Sequence, residues 1–153
     1  MLKKKIMELL LSNEQENIRN KIIINSCDLE FYLDSIISLH YCHNDEDIIF
    51  DFWDRILANL SLKNKIDIFK KIKFPNECEN FQKDICKFLN DFRILRNIAA
   101  HQLYLSDGTN KILNNQTLLN LFSNYPNSYD EKISKIRDML KFLFKYKFKE
   151  SKK

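Results

Sequence analysis

The sequence predicts an all-α protein, an antiparallel helical bundle of four main helices plus one or two short helices. The chain has one Gly and two Pro in 153 residues, too few for the frequent turns of a β-sandwich or barrel. Long stretches rich in Leu, Ile, Lys and Glu repeat their apolar residues at helical spacing. A chain of this length is expected to form a single domain, residues 1–153, with an ordinary hydrophobic core.

Capping residues set the expected helix boundaries in the first half of the chain. We expect four helical stretches there: residues 1–11, as an N-terminal arm or short amphipathic helix, then about 13–41, 44–59 and 61–74. Ser12 and Gln15 form a capping-box pattern. Asn44 and Ser61 are the expected caps of the two helices that follow.

The long helix at 13–41 has apolar residues on two faces. Its main stripe consists of Ile18, Ile22, Leu29, Leu33 and Ile36. Its second stripe consists of Ile24, Cys27, Phe31 and Ser35. A helix that is apolar on two faces usually contacts two neighbours, or a core on one side and a partner chain on the other.

The second half of the chain is expected to hold the central helix and the last helix, with an irregular segment between them. The expected parts are a central helix from Asn76 to Asp107-Gly108, one or two helical turns at 117–122, a last helix after Ser128, and a basic tail at 148–153. Gly108 supplies helix-stop chemistry. Ser128 and Glu131 form a further capping box.

Composition excludes several classes of protein. No apolar run is long enough to span a bilayer, and no signal-like segment stands at the N-terminus. The four cysteines form no Cys-x-x-Cys pair, so we expect reduced thiols in a cytoplasmic protein. The only glycine cannot build a Gly-rich phosphate loop, and we expect no cofactor. The net charge of +4 is compatible with nucleic-acid binding.

Two clusters of potential metal ligands have simpler explanations. His40, Cys42 and His43 lack a fourth ligand at workable spacing, so this segment is interpreted as a helix end with a buried Cys. The acidic run 45–54 suits the N-terminus of a helix and a solvated face. We therefore expect no metal site.

The central helix carries a polar stripe near its C-terminal end. Arg93, Asn97 and His101 are four residues apart and lie on one stripe. Tyr104 extends this stripe three residues later. Arg96 lies five residues before His101, about 140° round the helix, and its long side chain can reach the rim of the same patch.

The segment Leu-Arg-Asn-Ile-Ala-Ala-His at 95–101 resembles the signature of the HEPN superfamily, an Arg followed after four to six residues by a His. The stretch 61–72 also resembles the short helix that several HEPN groups place before the motif helix. The resemblance implies a HEPN-like domain and a metal-independent endoribonuclease, or a degenerate relative. By position, Arg96 and His101 are the paired motif residues and Asn97 is the polar residue after the Arg.

Two further residues near the motif are candidate RNA contacts. In some HEPN toxins a Tyr follows the His at the second position; here Leu103 holds that place and Tyr104 comes one residue later, which leaves the role of Tyr104 open. Arg93 has two interpretations, a phosphate contact or an ion pair with Asp91 or with an acid on another helix.

The tail alternates lysines with aromatic residues. Lys145 and Lys147 are candidate RNA-binding residues, because positive charge and ring stacking both favour RNA. The alternative is a final helix whose apolar face packs and whose lysines complement the C-terminal end of the helix dipole.

RNA cleavage needs a base for the 2′-OH proton and an acid for the leaving oxygen. His101 can do either near neutral pH, Arg96 can stabilise charge on the phosphate, and Asn97 can orient the His or hold a phosphate oxygen. One His cannot serve as acid and base at once. A homodimer with this helix at its interface would supply two copies and yield a 2′,3′-cyclic phosphate.

HEPN proteins of this kind are often toxins or abortive-infection effectors, frequently beside a nucleotidyltransferase antitoxin, and the resemblance implies such a setting. Two alternatives stay open. One is a non-catalytic HEPN-like dimerisation or adaptor module, and the other is a helical nucleic-acid-binding protein that uses its basic tail.

Overall fold

The computed structural model describes residues 1–101 and 107–153, and within them all regular structure is helical. The α-helices α1 to α8 are, in order, Leu2–Leu10, Gln15–Cys42, Glu46–Arg55, Leu62–Lys71, Asn76–His101, Asp107–Leu113, Gln116–Phe122 and Asn127–Ser151. A short 3-10 helix, Leu57–Asn59, follows α3. The all-α class is confirmed. Three helices (α2, α5 and α8) are long and five are short in these residues, rather than four main helices with one or two short ones.

The prediction that the main stripe of α2 lies in the core is confirmed. All five residues of the main stripe of α2 are buried, and so are Ile85, Phe88, Phe92, Leu95 and Ala99 of α5. In the second stripe of α2, Ser35 is buried, whereas Ile24, Cys27 and Phe31 are exposed. No helix among the described residues is both long and apolar enough to cross a membrane.

Helix caps agree with the sequence at one predicted position and differ at another. The Ser61 side chain accepts a hydrogen bond from the Asn64 amide at 3.2 Å, as expected. Asp45, not Asn44, caps α3, and its Oδ1 atom accepts from the Ile48 amide at 3.2 Å. An Asp in this position adds a negative charge at the positive end of the helix dipole, which favours it over the neighbouring Asn.

The prediction that Asp107-Gly108 ends the central helix is wrong. The described part of α5 ends at His101, and Asp107 begins α6. An Asp is also favourable in the first turn of a helix, so the same dipeptide suits a start. Gly108 is buried within α6, which packs against α1 and α7.

The two Ser-based capping boxes are also absent. Ser12 Oγ accepts from the Glu14 amide and donates to the Leu9 carbonyl. Ser128 lies inside α8, where its hydroxyl accepts from the Asn124 amide and donates to the Leu121 carbonyl. Both hydroxyls therefore stabilise the turn before the helix, a local bonding mode open to Ser.

Residues 1–27 and 90–135 form one compact unit, called unit 1 below. Its core contains an aromatic cluster in which the Tyr129 ring lies 6.5 Å from that of Phe92 and 6.1 Å from that of Phe122. The buried Tyr129 hydroxyl accepts a hydrogen bond from Asn25 Nδ2 at 2.9 Å. This bond satisfies the polar end of a ring that is otherwise buried among apolar groups.

Residues 28–89 and 136–153 form a second compact unit, called unit 2. Lys65 of α4 is only 4% exposed there, and its Nζ atom lies 2.7 Å from Glu30 Oε1 and 2.9 Å from Asp34 Oδ2, both on α2. Burial raises the pKa of Asp34 to about 6, although Lys65 acts in the opposite direction. For Lys65, burial lowers the pKa, but the two carboxylates outweigh it and raise the pKa overall.

Removing the charge of Lys65 is expected to destabilise the protein strongly. In Lys65→Met, Glu30 and the buried Asp34 lose their shared cation, and breaking a buried pair in this way costs about 3–5 kcal/mol. Chemical denaturation should show this loss in the free energy of unfolding. The matched control is Lys63→Met on the same helix, since Lys63 is exposed; equal effects of the two substitutions would contradict the role given to Lys65.

Candidate functional site

The motif residues lie in the last turns of α5, within unit 1. Arg96 is half-buried, whereas Asn97 and His101 are exposed. Ala99 is buried and faces the core, and Ala100 is exposed. The helix therefore offers both an imidazole and an amide to solvent, next to a partly sheltered guanidinium.

Helical geometry explains this gradation of burial. Arg96 projects close to the core side of α5, and His101 projects about 140° further round and about 7.5 Å further along the axis. Arg93, Asn97 and Ala100 all fall within that arc. The small, exposed side chain of Ala100 lies between the longer ones in this arc.

Arg19 of α2 is a site residue that the sequence analysis missed. Its Nε atom donates a hydrogen bond of 2.7 Å to the Ala99 carbonyl. The bond ties the last described turn of α5 to α2, and a hydrogen bond from a charged donor is stronger than one between neutral groups. Arg19 therefore holds the turn that carries His101. The two residues of the bond are 80 positions apart, so periodicity could not reveal it.

Arg93 does not form the expected ion pair with Asp91. Asp91 Oδ1 instead accepts from Asn115 Nδ2 at 3.0 Å, and residues two apart point to different sides of a helix. Among the described residues, no carboxylate pairs with Arg93, and its buried Nε atom has no acceptor. The described residues therefore leave this buried nitrogen without a counter-charge or a hydrogen-bond acceptor.

The other candidate RNA contacts are placed differently. Tyr104 lies outside the described residues. Lys145 is exposed in unit 2. Lys147 is 4% exposed and its Nζ atom lies 3.1 Å from His40 Nδ1, 3.0 Å from Glu150 and 5.1 Å from the centroid of the Phe74 ring. Its charge is thus directed into the protein.

The cysteines and histidines of unit 2 form no metal-ligating group. Cys42 is buried at the last residue of α2, as expected. Burial lowers the pKa of His40, and the nearby Lys147 adds to this effect. All four cysteines are free thiols, and burial raises the pKa of Cys86 to about 11. Within residues 1–101 and 107–153, no three His, Cys, Asp or Glu side chains are arranged to hold a metal ion.

No family model matches the sequence, and neither a curated protein nor a solved structure is significantly similar to it. The resemblance to the HEPN superfamily therefore stays a prediction that rests on the motif and its position.

Replacing Arg19 is expected to loosen the end of α5. In Arg19→Met the Ala99 carbonyl loses a hydrogen bond to a charged donor, which is worth about 1.5–3 kcal/mol. Hydrogen exchange should show faster exchange of the amides of residues 99–101, with smaller changes at the middle of α5. Arg55→Met is the control, because Arg55 is exposed and pairs with Asp51 on its own helix; equal exchange in both variants would contradict the proposed attachment of α5 to α2 by Arg19.

Proposed function

We propose that the chain is a HEPN-like, metal-independent endoribonuclease whose site is the exposed end of α5. The observation that supports this most directly is the joint placement of Arg96, Asn97 and His101, which the motif requires, on the accessible flank of one helix. Arg93 is half-buried within the same arc and adds a second guanidinium as a candidate phosphate contact.

Each residue has a role that its chemistry suits. His101 acts as general acid or base, and its exposure leaves the imidazole accessible to the reacting oxygens. Arg96 binds the scissile phosphate, and its partial burial restricts the guanidinium to few orientations. Asn97, one turn before His101, holds a phosphate oxygen or orients the imidazole. The 2′-oxygen attacks phosphorus, the 5′-oxygen leaves with a proton, and a 2′,3′-cyclic phosphate results.

The reaction needs both a base and an acid, and one His101 cannot serve as both. We propose that a homodimer supplies the second histidine. A two-fold axis beside the end of α5 would bring two copies of His101 into one cleft, one as base and one as acid. The exposure of Ala100 and His101 leaves this end of the helix open to a second copy.

The resemblance also supports a biological setting, proposed here on that ground alone. The protein would act in the cytoplasm as a toxin or abortive-infection effector, with a nucleotidyltransferase-type antitoxin as a possible partner. Its RNA contacts would include Arg93 and the exposed Lys145. Lys147 would take part only after leaving Glu150 and His40.

The central test is cleavage of several RNAs in the presence of EDTA. We expect wild-type protein to leave 2′,3′-cyclic phosphate ends. His101→Ala should lower the rate by about 10²–10⁴-fold, the usual contribution of a general acid or base, and Arg96→Ala by about 10²–10³-fold. End-group analysis of the products and initial rates provide the measurement.

Two matched substitutions serve as controls for that test. His43→Ala and Arg55→Ala remove an exposed imidazole and an exposed guanidinium from unit 2, and both should keep wild-type rates. If the folded wild-type protein cleaves none of the RNAs, or if His101→Ala cleaves as fast as wild type, the proposal is wrong.

Mixing experiments test the shared cleft separately. Wild-type and His101→Ala chains are mixed in equal amounts and allowed to exchange subunits freely. About one quarter of the dimers are then fully wild-type, and only these are active if one cleft needs two copies of His101. The activity per wild-type chain should then fall to about half. Unchanged activity per wild-type chain, with exchange verified by labelled subunits, would show that each chain works alone.

A further inference from the structure

The helix α3 leaves an unusual amount of apolar surface uncovered. No residue of α3 is buried, although five of its ten residues are apolar. Phe50 is 74% exposed, and Phe31 of the neighbouring α2 is 58% exposed. The Phe31 and Trp53 rings are in contact, with centroids 5.6 Å apart. A contiguous exposed apolar patch often marks a binding site, whereas single exposed apolar residues are common on any protein surface.

These side chains line an open groove of about 780 Å³ in unit 2, formed by Phe31, by α3 and by Ala58. We call it the α3 groove. Three of its nine lining residues are aromatic, namely Phe31, Phe50 and Trp53. The volume is sufficient for several apolar side chains of a ligand.

Acidic residues form the rim of the α3 groove. Asp47, Asp51 and Asp54 follow the spacing i, i+4, i+7 and therefore lie on one stripe of α3. Arg55 pairs with Asp51 at 2.7 Å, whereas Asp47 and Asp54 form no ion pair with any residue that the structure describes. The groove is thus locally negative on a chain whose net charge is +4.

This combination selects one kind of occupant. Phosphate groups of RNA would be repelled by the acidic rim. A helix that lies in a groove inserts apolar residues at i, i+3 or i+4, and i+7, and basic residues beside them would match the rim. The basic helices of this chain fit poorly. α8 exposes Phe142 as its only large apolar side chain, and the exposed Leu2 and Met7 of α1 are five residues apart and do not lie on one stripe.

We propose that the α3 groove binds an amphipathic helix of a partner protein, with apolar residues on one face and Lys or Arg residues flanking that face. The interaction is independent of the ribonuclease proposal, since all its residues lie in unit 2 and none belongs to the α5 motif. Partner binding and RNA cleavage can therefore be tested separately.

The chain contains a built-in reporter of this interaction. Trp53 is its only tryptophan and lines the groove, so fluorescence emission reports on the groove alone. The probe is an amphipathic leucine–lysine peptide of about 15 residues, long enough to form a helix. We expect a saturable blue shift of Trp53 emission with this peptide, and none with the same peptide in which Glu replaces every Lys.

Two sets of variants localise the binding. The double variant Asp47→Lys, Asp54→Lys should bind the leucine–lysine peptide about tenfold more weakly, because it reverses the charge of the rim. Phe50→Ala should also lower the affinity about tenfold, because it removes an exposed aromatic anchor. Asp67→Lys with Asp84→Lys is the matched control, because both positions are exposed and lie outside the groove; it should bind as wild type does. Circular dichroism verifies that all variants fold.

Four results would overturn the proposal. The first is a Trp53 emission that does not respond to the leucine–lysine peptide, or that responds equally to the glutamate peptide. The second is an equal loss of binding in the groove and control charge reversals, and the third is a shift of the emission by an RNA oligonucleotide alone. The fourth is self-association in sedimentation that Phe50→Ala abolishes, which would assign the groove to a second copy of the chain.

Discussion

Burial of apolar stripes along three long helices is the constraint on which this structure depends. α2, α5 and α8 each contribute residues to both compact units, and each has buried apolar residues in both of them. The spacing of Leu29, Leu33 and Ile36 shows how the sequence meets this demand. Short helices also pack on one another, as α6 does on α1 and α7.

Features set by local periodicity were predictable, and features set by contacts between distant residues were not. The extent of α2 was predicted to within two residues at each end, and its buried stripe follows from the spacing of apolar residues. The prediction that Asp107-Gly108 ends a helix was wrong because Asp and Gly occur at the N-terminal and at the C-terminal ends of helices. The local sequence does not decide between the two. The buried Lys65 looked like any surface lysine, since only the fold brings Glu30 and Asp34 to it.

The same division applies to the candidate site. The motif gave Arg96, Asn97 and His101 directly, and helical geometry explains why they share one flank of α5. Arg19 could not be found, because its hydrogen bond to Ala99 joins two helices. The exposed aromatic residues of α3 were visible in the sequence as helical apolar residues, but their lack of cover is a property of the folded chain.

The carboxyl group of Asp34 gives the protein an atypical acid response. Its pKa rises from 3.8 in the unfolded chain to about 6 in the folded one, so between these pH values the folded state binds a proton that the unfolded state releases. Folding there takes up protons, and this group favours the native state increasingly as pH falls from about 6 to 4. Most paired carboxylates act the opposite way, so Asp34 partly opposes acid denaturation.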